Sequence, residues 1–141
     1  MKGHKFTVTV LIATAILIAT AFVQSAFAAD VTDEEHYGNF ITSQPELEFV
    51  FDTLLTLDML QTANIKHTQY VETNPLLGER PSDAKIAAYG ASVALLHAAI
   101  TYEMVSQNVP KPIITAWEFI GTGIEAGYVG HNYKFGVKVR F

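Results

Sequence analysis

The 141-residue chain has no cysteine, few charges and no run of basic residues. Without cysteine there is no disulfide stapling, no thiolate metal site and no thiol nucleophile. Charged residues make up 16% of the chain, against about 25% in an ordinary soluble domain. The formal net charge is −5 and lysines do not alternate with aromatics, so nucleic acid is not an expected partner. There is no HExxH-like ligand spacing, so no metal and no other cofactor is expected, and the lack of a nucleophile elbow weighs against, without removing, a hydrolase-like enzyme. Gly121-Thr122-Gly123 is not a dinucleotide fingerprint, because the third glycine is misplaced and no strand precedes it.

What is present is apolar. Half of the residues are hydrophobic and the mean hydropathy is +0.23. At this length the chain holds one domain at most. Residues 1–5 (Met-Lys-Gly-His-Lys) are basic, Phe6 to Val23 is an apolar run, and Ala26-Phe27-Ala28 matches an A-x-A cleavage site. Residues 1–28 therefore read as a secretory signal peptide. Because the run also reaches a spanning length, an uncut signal would serve as an anchor. Either way residue 30 onward starts outside the cytoplasm of a bacterial cell. Residues 29–45 form an acidic extracytoplasmic segment, 46–131 a helical membrane domain and 132–141 a basic tail.

The expected fold is all-α, with three apolar helices after the signal, or four if the signal is retained. They fall at about 46–65, 83–106 and 112–131. Pro81, the N-cap Ser82 and Asp83 give the middle helix a clean start, and Asn108, Pro110 and Pro112 end it. With residue 30 outside, Lys66, Arg80, Lys85, Lys134, Lys138 and Arg140 fall inside and only Lys111 falls outside, as the positive-inside rule requires. Trp117, Tyr70, Tyr102, Tyr128 and Tyr133 lie near segment ends, where interfacial belts form. The tail from Tyr133 alternates like a strand, but a lone strand cannot be paired in a membrane, so it reads as a short basic tail lying on the surface.

Polar residues recur on shared helix faces. Asp58, Gln61 and Thr62 follow i, i+3, i+4 spacing, and Glu118 and Glu125 lie seven apart. At about 1.5 Å of rise per residue, Asp58 and Glu125 lie roughly 10 Å from the inner ends, and His97 and Glu118 roughly 20 Å. Two layers are expected: Asp58 and Glu125 with Gln61 and Thr62, and His97 with Glu118. Unpaired charges at such depths are costly, so these groups should face one another. Gly90 and Ala94 on one helix and Gly123 and Gly127 (a GxxxG) on the next suit close helix packing. In the loop, Glu72, Asn74, Pro75 and Gly78 are turn chemistry, with Asn74 bonding backbone and Glu72 capping the turn or pairing with Arg80.

The series Asp58-x-x-Gln61-Thr62, Glu72-x-Asn74-Pro75-Leu76, Gly78, Pro81-Ser82, His97 and Gly123-Ile-Glu-Ala-Gly-Tyr-Val-Gly-His131-Asn132 resembles small helical membrane proteins of bacteria and their phages. It spans residues 50–141. The resemblance implies a helical membrane fold and brings no activity with it.

Three readings follow. The first is an integral protein of the bacterial inner membrane whose Asp/His/Glu network holds the helices together. Its partners are the lipid bilayer and, since three helices hardly enclose a path, a second copy or another membrane protein. The second is a small membrane enzyme using His97 with Glu118 or Asp58, Glu125 being a further candidate. The third is a periplasmic bundle that binds lipid or a partner through its apolar faces.

Overall fold

The computed structural model describes residues 45–137 and 139. The signal segment 1–28, nearly all of the acidic segment 29–45, and Lys138, Arg140 and Phe141 of the tail lie outside the described residues. Within them the chain forms α1 (Pro45–Asn64), a 3-10 turn (Ile65–His67), α2 (Asp83–Ser106) and α3 (Lys111–Lys134), with no strand. The all-α expectation holds, and the middle helix has the expected bounds.

Local chemistry explains those bounds. Ser82 is extended, and its hydroxyl accepts the Lys85 N–H at 3.3 Å, satisfying one of the free donors of the first turn. At the other end Asn108 takes a left-handed conformation (φ 54°). The Val109 N–H returns to Met104 O and the Asn108 N–H to Val105 O, which is a Schellman motif with asparagine in the glycine position. Proline at the start of α3 supplies a preset φ where no backbone donor is needed. That helix runs on to Lys134, past the expected end at 131. The actual stop is Gly136 (φ 76°), where Val137 N–H bonds Asn132 O and Gly136 N–H bonds Tyr133 O. The polar residues His131 and Asn132 do not break the helix, and the tail turns back instead of spreading outward. Val137 is buried and Val139 packs on the core.

Helix α1 is the centre of the bundle. Its Phe51, Leu55, Met59, Leu60 and Ala63 pack with Ile86, Ala87 and Ala94 of α2 and with Leu77 of the loop. It lies against α3 over the greatest length and against α2 next, while α2 and α3 meet little. This corrects the expected seam between the two small-residue faces. Gly90 and Ala94 are buried, but Ala94 packs in the cluster built on α1. A Cβ at Gly123 or Gly127 would meet nothing within 4 Å. Small residues leave room, and here the room at α3 stays open because α1 lies against the remainder of that helix.

The outside of the bundle is apolar. Leu96 is 62% exposed and Phe119 60%, with Phe49, Ile113, Ile120 and Ile124 also more than half exposed. Among the described helices, α2 alone is long and apolar enough to cross a membrane by length and composition.

Leu55 is 1% exposed, and truncating such a side chain costs about 2–5 kcal/mol. Leu55→Ala should therefore lower the unfolding midpoint of the purified protein sharply. Phe119→Ala, on the exposed face, should shift detergent-solubilised protein by no more than about 0.5 kcal/mol.

Candidate functional site

Two groups of polar side chains lie inside the bundle, one toward the 68–82 loop and one toward the 107–110 turn.

At the loop end, Asp58 Oδ1 accepts from Asn132 Nδ2 at 2.7 Å, joining α1 to α3. One helical turn on, Gln61 Nε2 donates to Val129 O at 3.3 Å. Thr62 donates to Glu72 Oε2 at 3.2 Å, while Glu72 Oε1 accepts the Asn74 N–H at 2.8 Å. Glu72 thus ties the loop to α1. The loop is closed further by Asn74, whose side chain accepts the Leu76 N–H and whose carbonyl accepts from Leu77 and Gly78. Gly78 has φ 74°, a conformation that costs glycine little. Pro75 precedes it on the exposed rim. Of the two roles expected for Glu72, capping is the one observed. Arg80 instead donates to Ile65 O at 3.0 Å, a carbonyl that also accepts from the Thr68 N–H and hydroxyl, and so ties the loop to the end of the 3-10 turn.

These residues frame a cavity of about 820 Å³ lined by Asp58, Thr62, Glu72, Asn74, Glu125, His131 and Asn132, with Tyr89 and Tyr128 beside them and Gly123 and Gly127 on its α3 wall. The glycines read as packing residues therefore open a wall. Three carboxylates line the space with no lysine or arginine, so it favours a cation over an anion. Asp58 and Glu125 share the cavity as the depth argument required, with no hydrogen bond between them. Glu125 Oε2 is buried with no hydrogen-bond partner among the described residues.

At the turn end, the His97 ring is clamped. Phe51 stacks on one side at 3.8 Å between centroids and Trp117 at 5.1 Å, both nearly parallel to it. Nδ1 lies 3.3 Å from the Glu48 carboxylate and Nε2 lies 3.8 Å from Glu118 Oε2. Glu118 Oε1 accepts from Thr101 at 2.8 Å, and Thr101 accepts from Trp117 Nε1 at 3.1 Å. Trp117, half-buried, thus turns its ring nitrogen and one ring contact toward the interior. His97 and Glu118 are 5% and 2% exposed.

The pairing of His97 with Glu118 is as the spacing implied. Asp58 belongs to the other layer, so the alternative pairing of His97 with Asp58 is not formed. Two members of the turn-end group had no sequence signal pointing to them. Glu48 lies in the first turn of α1, where an acidic residue already has a reason to be. Gly121 is the other: a Cβ there would fall 2.9 Å from His97 Nε2 and 3.4 Å from Phe51, so its missing side chain gives the imidazole its space.

No protein-family model, curated protein or solved structure matches this chain.

Chemically, the turn-end group is an enclosed one: two nearly parallel rings pack on His97 and both of its nitrogens face carboxylates.

Trp117 is the only tryptophan, so its emission reports on this group. Gly121→Ala should displace His97, change Trp117 emission and cost about 1–3 kcal/mol through overpacking. Glu72→Ala should release the loop, seen as faster hydrogen exchange at Asn74 to Gly78 with α2 protection unchanged.

Proposed function

We propose that the chain is an integral protein of a bacterial inner membrane, with its start exported and its three helices crossing the bilayer. Its interior Asp/His/Glu network holds those helices together. The observation that carries this reading is an inversion of the usual order. Gln61, Thr62, His97, Thr101, Glu118 and Glu125 are buried, while Phe49, Leu96, Phe119 and Ile120 are more than half exposed. A soluble bundle with that surface would place a large apolar area in water, whereas lipid covers it at no cost.

Dimensions support the same reading. Helices of 20, 24 and 24 residues are about 30–36 Å long, enough for a hydrocarbon core of about 30 Å. Of the polar side chains that lower the hydropathy of α1 and α3, Gln61, Thr62, Glu118 and Glu125 are buried inside the bundle. Lys66, Arg80, Lys85 and Lys134 gather at the loop end of the bundle and Lys111 at the turn end, a distribution that supports a cytoplasmic loop end. The Lys66–Asp83 pair there is partly exposed and adds little stability.

The network acts as a set of cross-links. Asp58–Asn132 and Gln61–Val129 join α1 to α3, Thr101–Glu118 joins α2 to α3, and His97 contacts Glu48 of α1 and Glu118 of α3. In a bilayer, where apolar side chains gain little from leaving lipid for protein, such bonds and close packing hold helices together. The enclosure of His97 favours this role over acid–base catalysis.

Washing membranes with alkaline carbonate and weighing the intact protein tests the reading. The protein should stay in the pellet with a mass beginning at Ala29. Release into the wash would contradict it and favour a periplasmic bundle whose apolar faces meet a partner.

A further inference from the structure

We propose that Glu48, His97 and Glu118 form a binding site for one first-row divalent transition-metal ion, zinc being the leading choice. One imidazole nitrogen and two carboxylates, one residue from each helix, would hold it. This goes beyond the cross-linking role and does not depend on what covers the outside of the bundle.

The donor atoms of the three residues all lie within 4.8 Å of one another. Ligands at about 2.0–2.2 Å from one tetrahedral zinc ion lie about 3.3–3.6 Å apart, so a side-chain rotation that draws the widest pair in by about 1.2–1.5 Å closes the set. Glu48 can supply it, because its side chain is the most exposed of the three at 19%. The other two are fixed. Two rings hold the plane of His97, and the Thr101 hydroxyl engages Oε1 of Glu118. Supporting contacts of this kind orient metal ligands.

A second observation points to a ligand independently. His97 Nε2 and Glu118 Oε2 are buried and have no hydrogen-bond partner among the described residues. They face each other at 3.8 Å, too far for a hydrogen bond, and buried polar atoms are rarely left so. Gly121 keeps the space beside Nε2 clear.

Charge favours an ion as well. When ionised, two carboxylates beside one imidazole leave excess negative charge in a buried place, and a divalent cation balances it. The mixed nitrogen and oxygen donors suit zinc and its first-row neighbours better than calcium or magnesium, which take oxygen. The loop-end cavity lacks this convergence: among the described residues, no three donors there lie within the same reach.

The test uses the full-length protein in detergent, stripped with chelator and then titrated with Co²⁺. One Co²⁺ per chain should bind, with the visible absorption of four- or five-coordinate cobalt and quenching of Trp117, and Zn²⁺ should displace it. Glu118→Gln and His97→Gln should weaken binding by at least about 100-fold, while Glu72→Gln at the loop end should bind as the parent does. Absence of saturable binding to the parent protein would overturn the proposal, and this needs no variant to fold. Binding that survives Glu118→Gln and His97→Gln but is lost in Glu72→Gln would overturn it too, by moving the ion to the loop-end cavity. Neither result touches the carbonate experiment, so the metal site and the membrane reading fail separately.

Discussion

A charged or strongly polar side chain removed from water must find a partner, and that constraint organises this bundle. His97 Nδ1 meets it with Glu48, Glu118 Oε1 with Thr101, Asp58 with Asn132, and Thr62 with Glu72. Each contact joins two elements, so together they set how the helices are rotated about their axes. Turning α3 by one residue would carry Glu118 and Glu125 away from the interior and bring Phe119 into it.

The apolar core alone would not set those rotations. It lies between α1 and α2, with the loop residue Leu77 at one end, and leaves α3 attached to α1 largely through its polar face. Two consequences follow. The interior is layered, with the clamped imidazole at one end and an acidic, loop-capped cavity at the other. The exterior of α3 is free to be apolar, since the residues that bind it to α1 are hydrophilic.

Much of this was legible in the sequence, and the reasons are specific. The bounds of α2 could be read because Pro81, Ser82 and Asp83 form a start signal and Asn108 to Pro112 a stop. The His97–Glu118 pairing followed from rise per residue together with the cost of leaving either group alone. The end of α3 was misplaced because His131 and Asn132 look like the beginning of a polar loop, whereas the chain turns at Gly136. The role of Gly123 and Gly127 was misread because a small-xxx-small spacing records only that space is left, and it fits a cavity wall as well as a helix seam. Glu48 and Gly121 were missed for a different reason. An acid in a first turn and a glycine in an apolar helix are each ordinary, and their function appears only when three helices bring them against His97. Tertiary juxtaposition of that kind leaves no local pattern.

The absence of native cysteine allows the central claim, an apolar exterior in contact with lipid, to be measured directly. Single cysteines placed at Leu96, Phe119 and Ile124 would be challenged in intact and in opened membrane vesicles with a water-soluble maleimide, beside reference cysteines at Glu79 and Lys111. A lipid-covered exterior predicts no labelling at the first three positions until detergent is added, with Lys111 reacting from the outer side and Glu79 only once the inner side is opened. Equal labelling of all five positions without detergent would contradict the account.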